Sequence, residues 1–253
     1  ELSLHEVETA RLVGKELQAA GAAVTTGIGG HGLVGVLKNG GGKRLLIRTD
    51  LDALPIVEET GLPYASRVRT ENPEGDGTVG VMHACGHDLH MTNLIGVARY
   101  LAENRDRWRG TILLVGQPAE ERVLGAKAML DDGLYERFGK PDFALALHVA
   151  AELPAGTIAH RAGFSSAASD VVDIVVRGAG GHGARPHTTK DPIVQAAQLI
   201  LALQTIVSRQ IDPVEPAVVT VGAIHGGTKH NIIPDTCELK LTDRTYSDAV
   251  RDQ

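Results

Sequence analysis

Cysteine, aromatic residues and long apolar runs are all scarce in this chain, and each scarcity removes a class of protein. Two cysteines, Cys85 and Cys237, in 253 residues cannot build a disulfide framework, which points to a reducing compartment. Phe, Trp and Tyr make up only 3% of the chain, so no aromatic pocket names a ligand. Uninterrupted apolar runs such as Leu199 to Leu203 are far too short to cross a bilayer. The chain opens Glu1-Leu2-Ser3, without a basic-then-apolar leader. A cytoplasmic protein with no membrane partner is the expectation. The net charge of -6 comes with no clustered Lys/Arg stripe, so the electrostatic footprint of a nucleic-acid binder is missing too. At 43% hydrophobic the chain can bury a full core, as one large domain or two small ones. Small-molecule chemistry is left as the better prior.

What the chain does have is concentrated at residues 83 to 90, His-Ala-Cys-Gly-His-Asp-Leu-His. Three histidines and a cysteine share eight positions, and Gly86 lets the chain fold tightly between Cys85 and His87, so that both can reach one small volume. That is half of a transition-metal site. The alternative is a buried thiol beside polar loop histidines, and distant residues must decide.

Leu4, Val7, Leu12 and Leu17 recur at near-helical spacing before Gly21, which predicts an amphipathic helix over 3–20. The apolar runs 33–38 and 43–49 flank Asn39-Gly40-Gly41-Gly42 and read as a hairpin. The polar stretch 64–80 reads as an excursion loop, and 88–104 as a helix whose N-terminus carries the Cys-x-His pair. Strands at 111–116 and 143–149 flank a helix over 125–134, a βαβ order that predicts an α/β domain with a mixed, mostly parallel sheet over residues 1–162. From 163 to 253 the order becomes strand, helix (192–209), strand, strand, a smaller βαββ, α+β domain. Two G-x-G-x-x-G matches, Gly27-Gly29-Gly32 and Gly178-Gly180-Gly183, lack the strand-turn-helix context of a dinucleotide site.

Four clusters fall where strands of the first domain end: Asp50-Leu51-Asp52, the Cys85/His87 turn, Glu120-Glu121 and His148. Ligands of open α/β sheets bind outside the carboxyl ends of strands. Singly, these are a solvated strand end, a buried thiol, a charged surface and a core histidine. Jointly they supply thiolate, imidazole and carboxylate, the donors of zinc or a similar divalent ion. Adjacent side chains in extended backbone point in different directions, so one of Glu120 and Glu121 can ligate while the other faces water. Pro118 ends the strand before them.

The segments "RTDLDALP" (48–55), "MHACGHDLHMT" (82–92), "QPAEE" (117–121) and "ALHV" (146–149), in that order, resemble the amidohydrolases related to aminoacylase, hippurate hydrolase and indole-acetyl-amino-acid hydrolase. "GGHGARPH" (180–187), "GGTKHNIIPD" (226–235) and "DRTYSD" (243–248) resemble that family's lid, the bacterial exopeptidase dimerisation domain. The resemblance covers nearly the whole chain and implies a zinc-exopeptidase-like fold. It implies that Cys85, His87, Glu121 and His148 hold two divalent ions, zinc first, with manganese, cobalt or nickel as substitutes. Glu120 would be the general base, Asp52 would support the site by orienting a ligand imidazole, and His182 would stabilise the oxyanion. Asn231 and Arg244 would bind the substrate carboxylate, a task that suits a fork-shaped guanidinium. The implied reaction is hydrolysis of an N-acyl-amino acid by a homodimer paired through the lid.

Relatives of this kind continue past the lid into a segment that brings one more metal-binding histidine, so the chain is expected to be part of a longer protein. Asp243 also stands where a more apolar residue is expected, which bears on the register of Arg244. Three other readings remain open from the sequence: a carboxypeptidase or dipeptidase on the same site, a non-catalytic metal-binding or dimerisation homologue, and a cysteine hydrolase with Cys85 as nucleophile.

Overall fold

The computed structural model describes residues 1–73 and 75–253, and the chain divides into two compact units, Glu1–Pro154 and Ala155–Gln253. The first unit runs α1 (Val7–Ala19), β1 (Ala23–Ile28), β2 (Gly32–Asn39), β3 (Arg44–Asp50), β4 (Arg69–Glu71), β5 (Thr78–Gly80), α2 (His87–Glu103), β6 (Gly110–Gln117), α3 (Gly125–Asp131), α4 (Leu134–Phe138) and β7 (Phe143–Ala146). Five strands form one sheet in the order β1-β2-β6-β3-β7. The β1–β2 and β2–β6 pairings are antiparallel, whereas β6–β3 and β3–β7 are parallel.

Strand β6 is the spine of this unit. Its apolar run is buried on both faces, as an interior strand requires. Ile112 and Leu114 pack with Leu17, Leu33, Leu37, Leu51 and Leu94 on the side of α1 and α2. Leu113 and Val115 pack with Ile28, Val34, Leu46 and Met129 on the side of α3 and α4.

The hairpin expected between 33–38 and 43–49 does not form, because β6 lies between β2 and β3. The glycines of that connection serve a crossing instead. Gly42 has φ +148, and a Cβ on it would sit 3.1 Å from the Arg109 carbonyl oxygen; one on Gly110 would sit 2.3 Å from that of Lys43. Only bare backbone lets the loop pass over the end of β6 this closely. The real hairpin is β1–β2, around the first Gly-rich match, and β1 is a strand the sequence pattern did not single out. Helix α1 begins at Val7 rather than at residue 3, since Leu2 bridges to Ala53 and Leu4 takes φ +69. The excursion at 64–80 contains the short β4–β5 ladder.

In the second unit, β8 (Ala168–Arg177), β9 (Gly181–His182), α5 (Pro192–Thr205), β10 (Ala217–Gly226), β11 (Ile232–Ile233), β12 (Thr236–Thr245) and α6 (Asp248–Arg251) follow in order. A three-stranded sheet, β10-β12-β8, carries α5 on one face, with Ala196, Cys237, Leu239 and Leu241 at the centre. Asp191 caps α5 by accepting from the Ile193 and Val194 amides, with Pro192 at the first helical position. The helical run ends as a π-turn over Ile206–Gln210.

Leu114 is fully buried in the middle of the spine strand. Leu114→Ala should cost roughly 2–5 kcal/mol, the range for such cavities. Chemical denaturation of the chain reads this directly, and a loss below about 1 kcal/mol would mean that the core collapses around the gap.

Candidate metal centre

Because β6, β3 and β7 are mutually parallel, their carboxyl ends lie at the same edge of the sheet. That edge receives Asp50 and Asp52 from β3, Glu120 and Glu121 from the turn after β6, and His148 two residues beyond β7. The fourth contribution is the N-terminus of α2. Its N-cap, Gly86, has φ +78, and a Cβ there would lie 2.5 Å from a Val149 methyl, so the turn between Cys85 and His87 is glycine for two separate reasons.

His87 is completely buried. Its Nδ1 lies 2.8 Å from the Asp52 carbonyl oxygen, which can only accept, so Nδ1 carries a proton and the neutral ring has its lone pair on Nε2. Among the described residues that Nε2 has no hydrogen-bond partner. Around it, at 3.8 Å each, stand Asp50 Oδ2, Glu120 Oε2 and Glu121 Oε1. The same logic holds at His148: Nδ1 faces the Val149 carbonyl oxygen at 2.8 Å, and Nε2 stands 3.5 Å from Cys85 Sγ. Three overlapping groups, Cys85-His87-His148, His87-Glu120-Glu121 and Asp50-His87-His90, have donor atoms within 4.8 Å of one another.

The electrostatics of this cluster are those of a site that awaits cations. Burial pushes the Cys85 thiol up, and the Glu121, Glu120 and Asp52 carboxylates push the same way. Glu121 is also raised, by burial first and by Glu120 and Asp52, against the pull of His87. Burial would raise Asp52, yet hydrogen bonds from His87, Ser3 and the Glu121 amide hold it at about 2. Among the described residues Glu121 Oε1 is buried without a hydrogen-bond partner, and Asp52 Oδ1 has only the long contact with His87 Nδ1, at 3.4 Å. Unpaired buried acceptors beside a thiol are costly for protein alone, and they are the donors that a pair of divalent ions takes. The residues present fit two such ions.

The structure thus brings together Cys85, His87, Glu121, His148, Glu120 and Asp52. The remaining three sequence candidates lie in the second unit. His182 pairs with Ile232 across the β9–β11 ladder, and the Gly183 amide donates to the Asn231 carbonyl at 2.9 Å. Arg244 is exposed on β12, one residue after Asp243. Asp243 shares the alternation of Cys237, Leu239 and Leu241, and burial followed by Asp170 raises its carboxyl.

Three participants were given no individual role by the sequence reading. Glu6 is fully buried, and its Oε1 accepts from the Leu4 and Ala119 amides at 3.0 and 2.8 Å. With the Glu121 amide held by Asp52 at 3.0 Å, both neighbours of Glu120 are tied down, and Ala119 takes φ +46. At the head of a helix Glu6 reads as an ordinary first-turn acid, so no local signal marks it. Asp50 and His90, each 3% exposed, sit inside motifs already singled out, and their partners are visible only in the fold.

Burial, together with the neighbouring His148, His87 and Arg48, lowers His90 to about 4 despite Asp88. The unfolded chain takes this proton near the ordinary 6.5, so the contribution of neutral His90 to stability is complete above that pH and is lost as pH falls toward 4. His87, raised by Asp52 against burial, has the opposite sign but is common to parent and variant. In metal-free protein the stability of the parent relative to His90→Gln should therefore fall between pH 6.5 and 4. A pH-independent difference in denaturation would contradict it.

The description "Peptidase family M20/M25/M40" belongs to the family model that matches residues 46–238. The chain is 41% identical over its whole length to the N-acetyl-L-cysteine deacetylase of Bacillus subtilis, covering 58% of that protein. It is 44% identical, over 99% of its length, to the hippurate hydrolase of Campylobacter jejuni, covering 62%. A Bacillus subtilis structure described as a dinuclear metal binding peptidase of the M20 family superposes with a TM-score of 0.75 at 34% identity, over 100% of this chain and 62% of that one. The chain therefore spans about three-fifths of the curated relatives it matches.

Proposed function

The chain belongs to peptidase family M20/M25/M40, and from that premise we propose that it is the metal-binding portion of a hydrolase that cleaves the amide bond of N-acyl-amino acids. The observation that carries the reading is the buried, unpartnered Nε2 of His87, 3.8 Å from three carboxylates and beside the Cys85–His148 pair. Cys85, His87, Glu121 and His148 hold the two ions, and the mixed thiolate, imidazole and carboxylate set favours zinc. When bound, such ions acidify water and polarise a carbonyl.

The protein's own groups do the rest. Glu120, whose side chain is 37% exposed, faces the cleft, takes a proton from the attacking water and returns it to the leaving amine. Asp52 fixes the His87 tautomer through its carbonyl oxygen and braces the Glu121 amide through Oδ2. A recess of about 1210 Å³ reaches Gly86 and Val149 and is lined by Leu62, Tyr64, Val68 and Leu89; it offers room for an acyl group. The first unit is the catalytic domain and the second a lid through which two copies pair, with His182, Asn231 and Arg244 contacting the oxyanion and the substrate carboxylate. A cytoplasmic location is the default that two cysteines favour.

One distance favours a second reading. Cys85 Sγ lies 3.5 Å from His148 Nε2, the spacing of a thiol nucleophile and its base. Burial and then the surrounding carboxylates raise that thiol, however, which opposes an attacking thiolate in the absence of a cation. Metal analysis after dialysis separates the two: retention of close to two equivalents supports the amidohydrolase, and metal-free activity blocked by iodoacetamide supports the thiol.

In the protein as its gene encodes it, Glu120→Gln should keep its metal and lose at least about a hundredfold in turnover, while His87→Ala should lose metal. Rates on acetyl-, benzoyl- and indole-acetyl-amino acids, with metal content measured on the same samples, give the test. Full turnover in Glu120→Gln would remove that residue from proton transfer.

A further inference from the structure

Of the three histidines in the ligand-rich octet, His90 has no task in the reading above, yet it stands at the centre of the cluster. Its ring centroid is 5.3 Å from that of His87 and 4.6 Å from that of His148. Nδ1 lies 3.4 Å from Asp50 Oδ2, and the Val149 amide donates to Nε2 at 3.0 Å. A carboxylate only accepts and a peptide N–H only donates, so the two contacts fix the ring with its proton on Nδ1 and its lone pair spent on Val149. Asp50 is itself held by Arg48 through its other oxygen.

The receiving end of this chain is a short, weakly supported segment. Strand β7 stops at Ala146, so the ladder does not position residues 148 and 149. Besides the Cys85–His148 contact itself, the segment is held among the described residues by the packing of Val149 on Gly86, the contact between His148 Nδ1 and the Val149 carbonyl, and the bond from the Val149 amide to His90. We propose that His90, oriented by Asp50 and Arg48, is a positioning residue that clamps the Val149 amide and thereby presents His148 Nε2 beside Cys85. The inference rests on the reading of His148 as a ligand. A ligand role for His90 itself competes with it, since Asp50, His87 and His90 also lie within reach of one another. Both ring nitrogens are already committed, however, one as donor and one as acceptor, so neither offers a lone pair to an ion.

Cobalt(II) titration of the metal-free protein, followed by the thiolate-to-cobalt absorption band, tests this together with amide hydrogen exchange at Val149. In His90→Asn the side-chain amide nitrogen still reaches Asp50 but nothing reaches Val149. Cobalt affinity should fall about 10–100-fold, the usual cost of removing a residue that orients a ligand, and the Val149 amide should exchange faster. In His90→Gln the side-chain oxygen takes the place of Nε2, and affinity and protection should return to within about threefold of the parent. Parent-like cobalt binding and Val149 protection in His90→Asn would overturn the assignment. So would loss of a full cobalt equivalent in both variants, as expected for His148→Ala, because His90 would then be a ligand. If His148→Ala itself binds both equivalents with parental affinity, the ligand reading fails first, and that variant alone reveals it.

Discussion

The first unit is built around a buried imidazole nitrogen that none of the described residues satisfies. Leaving an acceptor such as His87 Nε2 unpartnered forgoes a hydrogen bond worth about 1 kcal/mol and incurs the desolvation cost besides. Three carboxylate oxygens at 3.8 Å repel one another across the same small volume. A fold optimised for its own stability would replace them with apolar side chains. That it holds them instead, at the ends of β3 and β6, identifies the edge as a place where stability is given up for cation binding.

The spine strand β6 explains how the cost is carried. It is buried on both faces and pairs antiparallel to β2 and parallel to β3, so the site hangs from the most heavily packed part of the unit. The parallel half of the sheet matters for function, because only parallel neighbours deliver all their carboxyl ends to one edge. The antiparallel β1–β2 ribbon adds core but no donors. Glu6 and Ser3 then reach the site from the N-terminal segment, where Ser3 Oγ donates to Asp52 Oδ2 at 2.6 Å, so the first residues of the chain belong to the centre as much as the motif does.

How much of this was legible depended on whether the signal was local. The turn at Gly86, the helix after it, the strand ends and the pairing of donors with those ends follow from spacing and residue type. The place of β3 did not, since a glycine-rich connection reads the same whether it closes a hairpin or steps over a third strand; the contact that distinguishes them, Lys43 with Gly110, is long-range. Strand β1 lacked a clear alternation, with most of its residues partly or fully exposed. Glu6, Asp50 and His90 had no legible role for a related reason: the partners that tie them to the site are 113, 40 and 59 residues away, and the local contacts of Glu6 with Leu4 and of Asp50 with Arg48 do not reveal them.

The run Arg48, Asp50, Asp52 shows how one periodicity yields several jobs. The two-residue repeat of an extended strand sends all three side chains to one side and leaves Leu51 to the core. They then diverge by their partners. Arg48 neutralises one oxygen of Asp50, and the other oxygen turns to His90. Asp52 has no such cation and gathers donors from Ser3 and the Glu121 amide, with its own carbonyl on His87. Residue type is the same at both places, so position along the backbone decides which aspartate orients His90 and which braces Glu121 and meets His87.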